Sequence, residues 1–441
     1  MNEQKKYPIN KIIHPVQTFI QQEKSGGIVL GLSVIIALFL ANSPWSEQYF
    51  HFFEHKFGFY FDNSVYLEYN IHHWINDGLM SIFFFVVGLE LKREMVGGEL
   101  SNPRKALLPI GAAIGGMIVP ALIYFSLNPV GEVNRGWGIP MATDIAFALG
   151  VLYLLGKKIP LSLKVFLTAL AIVDDLGAVL VIAFFYTSQI SLISLSIGVG
   201  FVAIMYIANK IGVRNIIFYA VVGILGVWTA FLLSGVHATI AAVVAAFTIP
   251  ADVTIRENTY IKKINNYLNH FKQIDPNDKT PTLTEQQLHI LDEIKQQTNQ
   301  ATPPLQRLEH AMHPFVTFII IPIFALANAG VSLAIDPDQL FSTHVAIGVA
   351  LGLLIGKVVG VVGTTLLLIK LKIAPFPTGM NLNNLFGLGL LASIGFTMSL
   401  FVTSLAFTHE EYIVQAKIGI FTASIIGGIL GYLTLNKNGG K

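Results

Sequence analysis

Four ionisable side chains stand deep inside apolar runs of this 441-residue chain: Asp144, Asp174, Asp175 and Lys357. The two adjacent aspartates lie in "LTALAIVDDLGAVLVIAFFY", residues 167–186, which holds no other charge. Lys357 lies in "VAIGVALGLLIGKVVGVVGTTLLLI", residues 345–369, with apolar and small residues on both sides. At about 1.5 Å of rise per helical residue, Lys357 is about 18 Å from either end of its run, and a lysine reaches only about 6 Å. Asp174 is about 15 Å from the nearer end by the same arithmetic, and its side chain is shorter. Neither can lift its charge to an interface. Each charge costs roughly 2.5–3.5 kcal/mol to place at mid-helix, so three acids and one base at comparable depth point to a function.

Neighbouring helix positions differ by about 100° in direction, so Asp174 and Asp175 cannot face one point. One can pair with Lys357 while the other faces a water-filled cavity. Burial favours the protonated acid, and a nearby ammonium or bound cation favours the carboxylate. A site of this kind exchanges protons for a hard, oxygen-loving cation that competes for the same oxygens. Asp144 comes with interrupted-helix chemistry. In "GWGIPMATDIAFALG", Pro140 and small neighbours break the run just before Thr143 and Asp144. In the second half, "LASIGFTMSLF" places Gly395 and Thr397 in a similar mid-run position. Discontinuous helices leave carbonyl and N–H groups free at mid-membrane. Asp144 would offset positive N-terminal ends there, and Lys357 negative C-terminal ends. Interruptions in both halves suggest inverted repeats whose half-helices meet at the substrate site.

The elements that must hold these residues are membrane-spanning helices. The chain is 53% hydrophobic and 12% charged, with mean hydropathy +0.63, about half the charge of a soluble domain. Its apolar residues form twelve blocks of about 20, the length that crosses a bilayer core about 30 Å thick. The order is a segment over 1–26, spans one to eight over 27–250, a loop over 251–311, spans nine to twelve over 312–434 and a tail over 435–441. With the N-terminus in the cytoplasm, 24 of the 28 Lys and Arg residues fall on cytoplasmic segments. Lys56 and Arg135 fall outside, and Lys357 and Lys417 within spans. The positive-inside rule therefore predicts both termini in the cytoplasm. In the first segment, Ile12, Ile13, Val16, Phe19 and Ile20 recur at helical spacing, which reads as an interfacial amphipathic helix or as a plain polar tail.

Two connections have content of their own. The outside segment "KFGFYFDNSVYLEYNI", residues 56–71, alternates around an Asp62-Asn63-Ser64 turn and predicts a β-hairpin whose free edges could pair with a second copy. The inside loop contains "TEQQLHILDEIKQQ", opened by Thr284 with Gln287 three residues on, a capping-box pattern; the rest reads as a solvated insert. A net charge of +2 gives no argument for nucleic acid. With no cysteine there is no disulfide framework and no thiolate metal site, and no cofactor or enzymatic role is expected. The G-x-G-D sequence of intramembrane aspartyl proteases is absent. A channel would more often present rings or repeated filter segments.

With these residues assembled, the sequence closely resembles the NhaA family of bacterial sodium/proton antiporters. The match is carried, in family order and over almost the whole chain, by "FFFVVGLELKRE", "AIGGMIVPALIY", "IPMATDIAFALGVL", "ALAIVDDLGA", "SGVHAT", "RLEHAMHP", "FALANAGVSL", "GLLIGK" and "IGFTMSLF". That family is itself one of the cases behind the inverted-repeat rule, so the two readings are not independent. The resemblance implies an all-α integral membrane protein of twelve transmembrane helices with discontinuous, crossing spans four and eleven. It implies electrogenic exchange of Na⁺ or Li⁺ for H⁺ at the bacterial cytoplasmic membrane. At matching positions, Asp175 would be the principal cation ligand and Asp174 its partner. Lys357 would pair with Asp174, while Thr143 and Asp144 line the crossing, so that Na⁺ would meet Asp175, Asp174 and Thr143. The resemblance also implies a pH-responsive cluster of Glu90, Arg93, Glu94, Glu309, His310 and His313 at the cytoplasmic mouth, where histidine titrates near neutrality. His237 matches another family histidine. The hairpin falls where family members form a homodimer contact, and the 252–308 loop looks longer than in the best-known members.

Overall fold

A computed structural model describes residues 24–61, 64–187, 190–274, 282–332, 343–376 and 379–438. The predicted N-terminal amphipathic positions 12–20, and Asp62 and Asn63 of the hairpin turn, lie outside these. The first helix, α1 (Lys24–Ala41), is followed by α2 (Ser46–Glu54), and the pair is bent by 111°. The strands β1 (Lys56–Phe61) and β2 (Ser64–Asn70) pair antiparallel from Lys56 opposite Asn70 to Phe61 opposite Ser64, with an irregularity between Phe57 and Phe59. Next come α3 (Ile71–Gly97), which contains a π-helical stretch over Trp74–Leu79, and α4 (Pro103–Leu127). The Asn70 side chain accepts from the His73 N–H to open α3, and Asn102 accepts from Arg104 N–H ahead of Pro103 to open α4. Both are side-chain oxygens capping backbone donors that a first helical turn leaves free.

A 3₁₀ stretch over Glu132–Met141 leads to α5 (Ile145–Leu154). Then follow α6 (Leu161–Phe185), α7 (Leu192–Lys210), α8 (Ile216–Ser234) and α9 (Ala238–Thr248). Two polar helices come next, α10 (Glu257–Ile274) and α11 (Glu285–Ala301). The chain returns to apolar sequence in α12 (Pro304–Asn328) and α13 (Val345–Lys370). It ends with the bent pair α14 (Leu382–Ala392) and α15 (Phe396–Ala406), then α16 (Glu410–Asn438). Among the described residues, nine helices are long and apolar enough to cross a membrane, or eleven if each bent pair is one span. The last of the eight blocks expected over 27–250 is the 11-residue α9, about 16 Å of helix and too short to cross alone.

The loop between α9 and α12 holds a second helix beside the one expected from sequence. The Thr284–Gln287 capping box forms in full, with both reciprocal bonds present at the start of α11. The insert is nevertheless a helical hairpin, because α10 lies against α11. Lys263 Nζ donates to Gln297 Oε1 at 2.8 Å and the Tyr267 hydroxyl to Glu293 Oε2 at 3.0 Å. Apolar positions on α10 are spread among polar ones, so the sequence shows no strong run there.

Small residues set the distances in the apolar bundle. A Cβ on Gly360 of α13 would stand 2.2 Å from the Gly115 carbonyl oxygen of α4, and one on Gly356 would stand 2.7 Å from Pro120 Cα. Only glycine permits so close an approach, the usual way for helices to associate in lipid. This contact fixes the depth of Lys357, which follows a π-helical stretch over Gly352–Gly356. In the same way a Cβ on Gly88 of α3 would meet Ala246 Cβ of α9 at 2.8 Å.

Candidate ion-binding site

Two unwound segments meet at the centre. Between the 3₁₀ stretch and α5, Ala142, Thr143 and Asp144 are extended, and α14 bends by 42° into α15 through Ser393, Ile394 and Gly395. The backbone N–H of Asp144 donates to Ile394 O at 2.6 Å, and the Thr143 hydroxyl donates to Ala392 O at 2.9 Å. From the other side, Ser399 Oγ donates to Ile139 O at 2.8 Å. Asp144 Oδ1 accepts from Phe147 N–H at 2.9 Å, while Oδ2 accepts from Thr397 N–H at 3.0 Å and Thr397 Oγ1 at 2.6 Å. One carboxylate thus caps the first turns of α5 and α15 together. Breaks in a helix at membrane depth persist only where their polar groups are satisfied, and here each break satisfies the other. The positive ends of two helices also favour the charge of Asp144.

Asp174 and Asp175 sit on α6, each 1% exposed. Lys357 Nζ donates to Asp174 Oδ2 at 2.6 Å across 183 positions of chain, and both side chains are fully buried. Thr143 stands beside Asp174. The length and depth of Lys357 deliver its ammonium to Asp174. Asp175 is enclosed by the surrounding helices, within electrostatic reach of Asp174, Asp144 and Glu90. Oδ1 of Asp174 and Oδ1 of Asp175 are buried without a hydrogen-bond partner among the described residues. Buried polar atoms are nearly always satisfied. Two adjacent residues here each leave one carboxylate oxygen without a protein partner among the described residues. Among the described residues no three His, Cys, Asp or Glu side chains gather as for a resident metal ion.

The second predicted cluster lies where the end of α3 meets the start of α12. Arg93 pairs with Glu309 (Nε to Oε1, 3.1 Å) and with Glu94 (3.2 Å). Glu94 Oε2 also accepts from Glu99 N–H at 2.9 Å. Glu90 lies within electrostatic reach of Glu309, Arg93 and Glu94, and His310 within reach of Glu309. His313 follows one turn further along α12. Away from this cluster, His237 Nε2 lies 3.1 Å from Tyr186 O.

A sequence model of a family described as Na⁺/H⁺ antiporter 1 matches residues 17–435. The chain is 45% identical to Na⁺/H⁺ antiporter NhaA 1 of Saccharophagus degradans, over 100% of this chain and 96% of the relative. It is 47% identical to Na⁺/H⁺ antiporter NhaA of Oleidesulfovibrio alaskensis, over 97% and 95%. Against Na⁺/H⁺ antiporter NhaA of Sulfurimonas denitrificans it is 45% identical, over 96% of each.

The chain belongs to the Na⁺/H⁺ antiporter 1 family.

Some polar partners in this family member escape a reading by charge alone. Thr397 holds Asp144 twice. Lys92 donates to the Phe247 carbonyl at 2.7 Å and also to that of Ile249, tying α3 to the end of α9. His72, Asn76 and Asn328 bond to one another: His72 Nε2 lies 3.0 Å from Asn328 Oδ1, and Asn328 Nδ2 donates to Asn76 Oδ1 at 2.9 Å. The available signal was neutral. Asparagine inside an apolar run needs partners as surely as a charge does.

Proposed function

We propose that this antiporter-family protein exchanges Na⁺ or Li⁺ from the cytoplasm for external protons, with the Asp174–Asp175 pair as the shared site. The observation that carries the reading is the pair of unpartnered, buried carboxylate oxygens beside Lys357. Asp175 is the principal cation ligand and Asp174 its partner. Thr143, whose hydroxyl proton is spent on Ala392 O, keeps oxygen lone pairs for the ion. Asp144 and Thr397 hold the unwound segments in register. Proton and cation compete for the same oxygens, so binding one releases the other. Two carboxylates and a lysine trading protons for one monovalent cation move net charge, which makes the exchange electrogenic. Access alternates between the two membrane faces as the half-helices move against their surroundings.

The finer architecture belongs to the same proposal. Twelve spans follow if each bent pair and the short α9 count as one crossing, with α5 and its 3₁₀ lead crossing α14–α15. Both termini then face the cytoplasm, in the bacterial inner membrane, and the α10–α11 hairpin lies on the cytoplasmic side. The cluster of Glu90, Arg93, Glu94, Glu309, His310 and His313 sets the pH response, and β1–β2 pairs with a second copy to form a homodimer.

A dequenching assay in everted vesicles across pH, with Na⁺, Li⁺ and K⁺ added in turn, tests this reading. Na⁺ and Li⁺ should each drive proton movement, falling toward acid pH because protons occupy the carboxylates. A rate that stays flat between about pH 6 and 8.5 would contradict the pH-responsive cluster. Absence of any response to Na⁺ and Li⁺ would overturn the exchange itself.

A further inference from the structure

Lys417 is the second lysine inside an apolar run, and the exchange chemistry leaves it without a role. It sits on α16, half-buried, and donates from Nζ to Gly330 O at 3.0 Å, just past the end of α12. Helix ends leave carbonyls free, and here several are taken by side chains from other elements. Tyr49 of α2 donates to Leu326 O at 2.5 Å, and Asn42, beyond α1, donates to Val331 O at 2.8 Å. Asn328, in the last turn, is held by His72 and Asn76 of α3. A Cβ on Gly330 would stand 2.4 Å from the Tyr49 hydroxyl oxygen, so the approach requires glycine. The terminus of α12 is thus fastened to α1, α2, α3 and α16 by polar bonds in addition to the apolar packing of Phe324, Ala325 and Ala329.

The place of this fastening gives it a function. The same two helices, α3 and α12, are joined at their opposite ends by the Arg93–Glu309 pair. Each helix also carries a π-helical stretch, over Trp74–Leu79 in α3 and Val316–Ile320 in α12. Such a stretch holds an extra residue in the turn and recurs at functional sites. A pair of helices with a polar bond at each end, and a deformable turn in each, can part at one end while the other holds. Hydrogen bonds suit a reversible contact of this kind, because water can replace each one as it breaks.

We infer that Lys417 is a positioning residue of a closure at the β-hairpin end: with Tyr49, Asn42, His72 and Asn76 it clamps the terminus of α12 and shuts the route from that side to the buried aspartates. This rests on the exchange reading, in which that route must open and close in each cycle.

The chain has no cysteine, so a single reporter can be placed without background. Met141, buried at the end of the 3₁₀ stretch, is replaced by Met141→Cys in full-length protein. Labelling by a membrane-impermeant maleimide is followed from the β-hairpin side of sealed vesicles. Adding Lys417→Met should raise the labelling rate about tenfold, and Lys417→Arg, which keeps the donor and the charge, should return it toward the parent rate. A parent-like rate in Lys417→Met overturns the closure. If Lys417→Met is not recovered folded, Asn42→Ala decides in its place: faster labelling supports the clamp, and an unchanged rate overturns it. Labelling needs no transport, so a failure of Na⁺/H⁺ exchange in the vesicle assay is distinguishable from a failure here.

Discussion

Asp175→Asn is expected to reduce Na⁺-driven proton movement in everted vesicles to the level of vesicles that lack the protein. The amide has nearly the shape of the carboxylate but neither binds a cation by charge nor releases a proton. Asp174→Asn should do the same, because the pair shares one load. Folding should survive in Asp175→Asn, whereas Asp174→Asn also leaves the buried Lys357 ammonium without its partner and should lose stability as well. The Oδ1 atom of Asp175 is buried without a hydrogen-bond partner among the described residues, so a neutral side chain relieves rather than adds a burial cost. The thermal midpoint of Asp175→Asn in detergent should equal or exceed that of the parent, the usual trade between stability and a strained site. Parent-like exchange rates in Asp175→Asn would end the assignment. A collapsed midpoint would instead mean that Asp175 is structural.

The second large effect belongs to Lys357. Removing one partner of a fully buried ion pair leaves the other charge without compensation, typically at a cost of about 3–5 kcal/mol. Lys357→Met should therefore lower the thermal midpoint and the transport rate together, with a proton on Asp174 recovering part of the stability. The double variant Lys357→Met, Asp174→Asn removes both charges from the same pocket and should regain most of the lost stability while remaining inactive. Replacing a buried pair with neutral groups of similar volume is often close to neutral. The measurement is a double-mutant cycle on thermal midpoints. Simple additivity would mean that the 2.6 Å contact contributes nothing specific.

The parts of the site that charge and depth could reveal were legible in the sequence. Asp174 and Lys357 cannot reach an interface, so each needed a partner, and the structure brings them together. Pro140 marked the interruption before Thr143 and Asp144, and Gly395 marked the facing one. What stayed hidden depends on relations between distant segments. That Asp144 would cap α15 as well as its own helix follows from the approach of two breaks, which no local pattern encodes. The 111° turn between α1 and α2 was equally silent, since an apolar run shows composition and not direction. The partner helix α10 escaped because its stabilising contacts, Lys263 with Gln297 and Tyr267 with Glu293, lie across a hairpin rather than along one helix. The family resemblance supplied the cluster around Arg93; its ion pairs join α3 to α12 across more than two hundred residues.

The bonds between the two unwound segments also impose an order on synthesis. Asp144 and its acceptor for Thr397 are separated from that partner by 253 positions, and Thr143 from Ala392 by 249. At about 5–20 residues per second, the first segment leaves the ribosome about 10–50 s before the second exists. Throughout that interval the Asp144 N–H, the Asp144 Oδ2 atom and the Thr143 hydroxyl lack their permanent partners, yet they cannot rest against lipid. Water or the insertion machinery must shelter residues 142–144 until the last quarter of the chain arrives. Truncation before that point should therefore leave a nascent chain that quality-control proteases recognise, even though its earlier helices are apolar enough to insert.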